Sequence, residues 1–217
     1  METTLETSQR VLVAARRLFF ARGFAKTQLR AIASEAGTSE TGVLRFYPSK
    51  TVLLRAVCES CWAEVNAMLD ARLASAAERD ADPRSLLCEL MRAVLGLAQT
   101  DAPMMTFLQT HFASPEAIGF LPSESGGDAG LPSAGHEFHR YLSRIQELCG
   151  ATLAANPAFA RAGVTVTALT HVVQSAIYGI QASWYISDQE RAPESDRLSI
   201  EEGVAVLRCL LYQNAAS

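Results

Sequence analysis

Apolar positions recur at three- and four-residue spacing along almost the whole chain, and strict alternation is absent, so the pattern predicts helices throughout. Val11, Leu12, Ala15, Leu18 and Phe19 mark a first helix, which Gly23 stops. Phe24 can fold back on it and Thr27 can cap a second helix, whose inward set over Thr27–Ala36 is Leu29, Ile32, Ala33 and Ala36. Gly37 follows, where a left-handed residue ends a helix. Ser39 can cap a third helix with Val43 and Tyr47 facing in; Pro48 ends it and Ser49 can cap a fourth. That fourth helix is long, with one stripe from Leu54 through Val57, Cys58, Cys61, Trp62, Val65, Met68 and Leu69 to Leu73.

The stretch Arg79–Arg84 reads as a turn, with Asp82 as cap and Pro83 as first helical residue of a helix carrying Leu86, Leu87, Leu90, Val94, Leu95 and Leu97. Another helix starts at Asp101-Ala102-Pro103 and carries Met104, Phe107, Leu108 and Phe112. Residues 114–135, SPEAIGFLPSESGGDAGLPSAG, hold three prolines and five glycines and predict a loop. Helices over His136–Ala155 and Thr165–Ser187 follow, and Ser199-Ile200-Glu201-Glu202 is a capping box opening a last helix with Val204, Leu207 and Leu211.

Composition narrows the class. Apolar residues make up 49% of the 217, enough for a sizeable core, and charged residues 19%, too few for wholesale disorder. The polar N-terminus METTLETSQR is neither a secretory signal nor a transit peptide, and no apolar run reaches the ~20 residues of a membrane span, so a cytoplasmic location is expected. The five scattered cysteines read as reduced residues used as small hydrophobes. The net charge of −4 conceals an asymmetry. Residues 1–50 hold eight Lys/Arg (Arg10, Arg16, Arg17, Arg22, Lys26, Arg30, Arg45, Lys50) against four acids (Glu2, Glu6, Glu35, Glu40), a balance of +4; the remainder stands at −8. A basic head on an acidic body points to a polyanionic partner for the head.

Two short helices joined at Ala36-Gly37-Thr38 and braced by the first match a helix-turn-helix, whose second helix enters the major groove. Glu40, Thr41 and Gly42 at its start are short enough for approach to base edges, while Arg45 and Lys50 lie where phosphates run. An αα-hairpin used only for packing accounts for the inward residues equally well, but not for the basic excess.

Val11-Leu12-x-x-Ala15-x-x-Leu18-Phe19-x-x-x-Gly23-Phe24-x-x-Thr27, then Leu29-Arg30-x-Ile32-Ala33-x-x-Ala36-Gly37-x-Ser39, then Gly42-Val43-x-x-x-Tyr47-x-Ser49-Lys50 resemble the DNA-binding domain of the TetR family of bacterial regulators. The resemblance implies an all-α protein with a helix-turn-helix domain at residues 1–50 and a helical ligand-binding and dimerisation domain at 51–217. It implies a homodimer on a near-palindromic DNA operator, released by a small-molecule effector. Thr27 and Lys50 would hold phosphate; Arg30, Thr41, Gly42 and Leu44 would face bases, with Ser39 and Glu40 at the helix start and Arg45 and Phe46 at the groove wall. Leu44 and Phe46 stand where the family commonly has tyrosine and histidine, and Glu40 where a basic or neutral residue is usual. Glu40 could accept from a cytosine amino group and Leu44 could touch a thymine methyl.

In the larger part, Trp62, Met104, Met105, Phe107, Phe112, Trp184 and Tyr185 could line an apolar cavity, with His111 or His171 orienting a polar group of an effector. Ser175, Gly179 and Ser183 place a small residue every four positions, a strip for a close-packed helix either within the chain or, with Leu207 and Leu211 of the last helix, in a four-helix subunit interface. Cys58-Glu59-Ser60-Cys61 has redox spacing without the strand a redox fold requires. His136 and His139 flank Glu137 without a third metal ligand. No nucleophile motif or phosphate-cradling loop occurs, so neither enzyme activity nor a cofactor or metal is expected. A transcriptional activator with the same contacts, and a helical small-ligand-binding protein that has lost DNA binding, are the rival readings. The fourth helix, running from Lys50 to Trp62 and Met68, is the expected lever between effector and DNA.

Overall fold

A computed structural model describes residues 2–79, 81–112, 135–190 and 198–212, apart from the side chains of residues 2–5, 112, 160 and 185–190. The expected loop at 114–135 lies outside it except for Gly135. Among the described residues there are ten helices and no strand. They are α1 (Glu2–Arg22), α2 (Leu29–Glu35), α3 (Glu40–Phe46), α4 (Lys50–Ala77), α5 (Pro83–Thr100), α6 (Ala102–Phe112), α7 (His136–Ala154), α8 (Pro157–Arg161), α9 (Val166–Glu190) and α10 (Ile200–Tyr212). The all-α expectation holds.

Contacts divide the chain into two compact units. The first comprises Met1–Ala63 and Pro103–Phe138; the second comprises Glu64–Ala102 and His139–Ser217. In the first unit α1, α2 and α3 pack on one another around Val11, Ala15, Phe19, Ile32, Ala33, Ala36 and Val43, all buried. α1 starts before the apolar pattern does, because Glu, Thr, Leu and Gln extend it backwards and Glu6 pairs with Arg10 one turn on. Phe107 of α6 lies against Phe19 and Phe20, and its neighbour His111 stands edge-on to Phe24. Glu59 accepts from the backbone N–H groups of Gly135 and Glu137, satisfying the free amides where α7 begins.

In the second unit α5, α9 and α10 pack pairwise. Gly203 sits at the crossing of α10 and α9, where a Cβ would have to displace the tip of the Ile180 side chain. The expected caps form. Asp82 accepts from Ser85 N–H at 2.9 Å, and Ser199 and Glu202 exchange bonds, Ser199 N–H to the carboxylate at 2.8 Å and Glu202 N–H to the hydroxyl at 3.2 Å. One element escaped the periodicity: α8 is too short to show a repeat, yet its start was legible as Asn156-Pro157, with the Asn156 carboxamide oxygen accepting from Ala158 N–H at 3.1 Å.

Two expectations need correction here. Thr27 does not cap α2; Gln28 stands at the cap and makes no side-chain bond. Thr27 is 2% exposed, and its hydroxyl donates to Gly23 O at 2.8 Å, with Leu18 O at 3.3 Å, so it closes the corner between α1 and α2. Leu207 and Leu211, expected at a subunit face, are 2% and 0% exposed within their own chain. The helical period turns Val206 and Leu210 outward instead, at 59% and 52%.

Candidate nucleic-acid interface

The turn between α2 and α3 is built on Gly37. Its φ of 66° lies in the left-handed region, and Thr38 N–H reaches Ala33 O at 2.9 Å while Gly37 N–H reaches Ser34 O at 3.3 Å. This paired closure ends α2 with its last carbonyls satisfied. Ser39 then caps α3 by accepting from Gly42 N–H at 3.0 Å. The opposite side of α3 is anchored by fully buried Val43 and by Tyr47, whose hydroxyl donates to Ser8 O at 3.4 Å. With Val43 turned in, Ser39, Glu40, Thr41, Leu44 and Arg45 are turned out, and Gly42 and Phe46 are half-buried. Gly42 has a local reason to lack a side chain, since a Cβ would press on the Thr38 hydroxyl.

The eight cations of the N-terminal segment fall into groups. Arg10 pairs with Glu6, and Arg17 with Glu35. Arg16 lies against Phe20 and the Met104 sulfur. Lys50 is held over the Phe24 ring, its Nζ 4.4 Å from the centroid and 3.4 Å from Ala25 O, and partial burial lowers its pKa from the ordinary lysine value. Arg22, Lys26, Arg30 and Arg45 are exposed and have no ionic partner among the described residues. Among the described residues the acids Glu6 and Glu35 are matched and Glu40 is not. Arg22 and Lys26 were not singled out from the sequence; their signal was their position in the α1–α2 turn, on either side of Gly23 and Phe24. At the start of α4, Ser49 accepts from Val52 N–H at 3.1 Å, which fixes the helix beside Lys50.

The expected effector residues fall in different settings. In the first unit Met104 and Phe107 are buried, Phe107 and His111 are brought together at 4.5 Å, and Trp62 lies 5.0 Å from Phe138. In the second unit Trp184 donates its indole N–H to Leu198 O at 2.6 Å. His171 sits on the exposed side of α9 with Ser175 and Gly179, so it faces away from the buried Val173 and Ile177. The side chains of Phe112 and Tyr185 lie outside the description. Cys58 and Cys61 are both buried, and burial pushes the Cys58 thiol far above its ordinary value, the reverse of what a redox thiolate needs. Among the described residues no three metal-ligating side chains come together, and no helix is long and apolar enough to cross a membrane.

A left-handed turn at Gly37 and a capped α3 presented outward form a helix-turn-helix. The sequence model of bacterial regulatory proteins, tetR family, matches residues 11–57. Solved structures share the fold. A tetR family transcription regulator from Shewanella sp. PV-4 superposes with a TM-score of 0.65 at 19% identity, over 95% of this chain and 96% of that one. FadR from Bacillus subtilis, solved with stearoyl-CoA, gives 0.60 at 13% identity over 94% and 97%. A TetR-like transcriptional regulator from Rhodococcus sp. RHA1 gives 0.54 at 17% identity over 97% and 96%. No curated protein sequence matches. Residues 11–57 thus match the family's sequence model, and the chain as a whole shares its fold with these solved structures.

Proposed function

We propose that this chain is a cytoplasmic, ligand-responsive transcriptional repressor that binds a near-palindromic operator as a homodimer and leaves it when a small apolar effector binds. The supporting observation is the outward face of α3, on a unit that also carries four exposed cations, Arg22, Lys26, Arg30 and Arg45, without an ionic partner among the described residues. In this reading residues 1–50 bind DNA and residues 51–217 bind effector and partner subunit. Arg30, Thr41, Gly42 and Leu44 meet bases; Arg45, Phe46 and Lys50 line the groove wall, joined by Arg22 and Lys26. Ser39 spends its hydroxyl on the α3 cap, and Thr27 supports the corner from beneath.

Subunit pairing is assigned to the exposed sides of α9 and α10, where Val172, Ser175, Tyr178 and Gly179 face outward with Val206 and Leu210. One seven-residue helix spans only a few base pairs, so a specific site asks for two copies at helical-turn spacing. An apolar effector is supported by Met104, Phe107 and Trp62 in the first unit and by the stearoyl-CoA bound to the structurally similar FadR. Such a ligand acts only through its differential affinity for two arrangements of the protein. Lys50 and Trp62 share α4, which makes that helix the proposed lever.

Binding to the DNA upstream of the protein's own coding sequence, followed by fluorescence anisotropy at several salt concentrations, tests the reading. Affinity should fall steeply as salt rises, because each phosphate contact releases a counterion. Binding indifferent to salt, or unchanged by Arg45→Ala and Lys50→Ala, would sink it. Transcript levels after deletion separate a repressor from an activator.

A further inference from the structure

The outward face of α3 carries a charge of the wrong sign for a polyanion. Glu40 is exposed, and among the described residues nothing cationic or hydrogen-bonding engages it. Glu6 and Glu35, by contrast, are each matched by an arginine. An unmatched carboxylate at a duplex repels phosphate and lowers affinity for every sequence. At a base edge, however, it has one well-suited partner. In the major groove cytosine offers an amino donor; guanine and thymine oxygens and nitrogens only accept, and adenine sets an acceptor beside its donor. A carboxylate, which only accepts, therefore favours cytosine.

Leu44 stands four residues further along the same face of α3 and is 39% exposed. Its side chain has no polar atom, and the thymine methyl is the apolar feature the groove offers. Four residues of helix rise about 6 Å, close to two base-pair steps of ~3.4 Å.

Resting on the reading of α3 as the recognition helix, we propose that Glu40 and Leu44 form a paired reader. Glu40 selects a C·G pair and Leu44 a T·A pair no more than two steps away in each half-site. Glu40 sacrifices general duplex affinity for that discrimination.

Full-length wild-type, Glu40→Gln and Leu44→Ala proteins, each checked for an unchanged melting profile, are used to select duplexes from a pool with a random core. Wild type should enrich an invariant cytosine in each half-site. Glu40→Gln should move that position to adenine, because an amide both donates to N7 and accepts from N6, and should bind unrelated duplex several-fold more tightly. Leu44→Ala should keep the cytosine and lose the neighbouring thymine. Replacing that thymine by deoxyuridine should weaken wild type roughly threefold to tenfold and leave Leu44→Ala unaffected. An identical base preference in Glu40→Gln at every position overturns the cytosine assignment, and deoxyuridine bound as well as thymine overturns the methyl contact. Should wild type enrich no sequence, the recognition-helix reading itself falls, and the paired reader with it.

Discussion

Gly37 and Gly96 show how one added methyl group acts in opposite directions at two sites. Gly37 has a φ of 66° with open space around the position a Cβ would take, so the cost of alanine there is purely conformational. Gly37→Ala should lose about 1–2 kcal/mol, a fall in melting temperature of roughly 2–8 °C for a chain of this size. Gly96 lies inside α5, also in open space, without a positive φ. Gly96→Ala should gain roughly 0.5–1 kcal/mol, read in the same calorimetric scan. The role of Gly37 was legible because a tight turn between two short apolar patterns fell on it. Thr27 was misread, because its position before an apolar pattern looks like a cap whether or not the hydroxyl finds carbonyls behind it. Thr27→Val keeps the shape and deletes bonds to Gly23 O and Leu18 O. It should lower stability by about 1 kcal/mol and leave the salt dependence of DNA binding unchanged; an altered salt slope would put Thr27 back on phosphate.

At the scale of single helices, α10 separates packing from pairing. Leu211 is fully buried, so Leu211→Ala should cost about 2–5 kcal/mol of stability. Leu210, its exposed neighbour, should tolerate Glu in the folded chain but not in a subunit interface. The sequence period showed that α10 has an apolar stripe. It did not show that the helix is apolar on both sides, since Val206 and Leu210 extend the same run as Val204, Leu207 and Leu211. In α4 the first turn brings Lys50 over Phe24. Lys50→Ala should weaken binding about equally across DNA sequences and reduce the slope of log affinity against log salt by about one. Phe24→Leu keeps the charge and removes the ring beneath it; affinity should fall less and the slope should stay.

For the whole molecule, the proposed function makes specific DNA binding depend on subunit pairing. Exposed Val206 and Leu210 on α10, and Val172 and Tyr178 on α9, make up the apolar part of the proposed pairing surface. Changing Val206 and Leu210 together to Glu should give a folded monomer by light scattering, with an unchanged circular dichroism spectrum. That monomer should lose preference for a two-half-site operator over a single half-site. A dimer persisting in the double variant would move the interface elsewhere.

Periodicity, glycine placement and cap residues sufficed for the all-α class, the three-helix N-terminal arrangement and the outward face of α3. These follow from interactions between residues a few positions apart, which the order of residues already contains. Charge counting likewise located the basic segment. Which cations remain unmatched depended on the tertiary structure, because Arg17 meets Glu35, and Lys50 meets Phe24, only once the chain has folded back. The same holds for Thr27 beneath the corner, for His171 on the outer side of α9, and for the exchange of Leu207 and Leu211 with Val206 and Leu210. A helix with apolar residues on two sides does not say which side meets its own chain; only the positions of α5 and α9 beside α10 decide that.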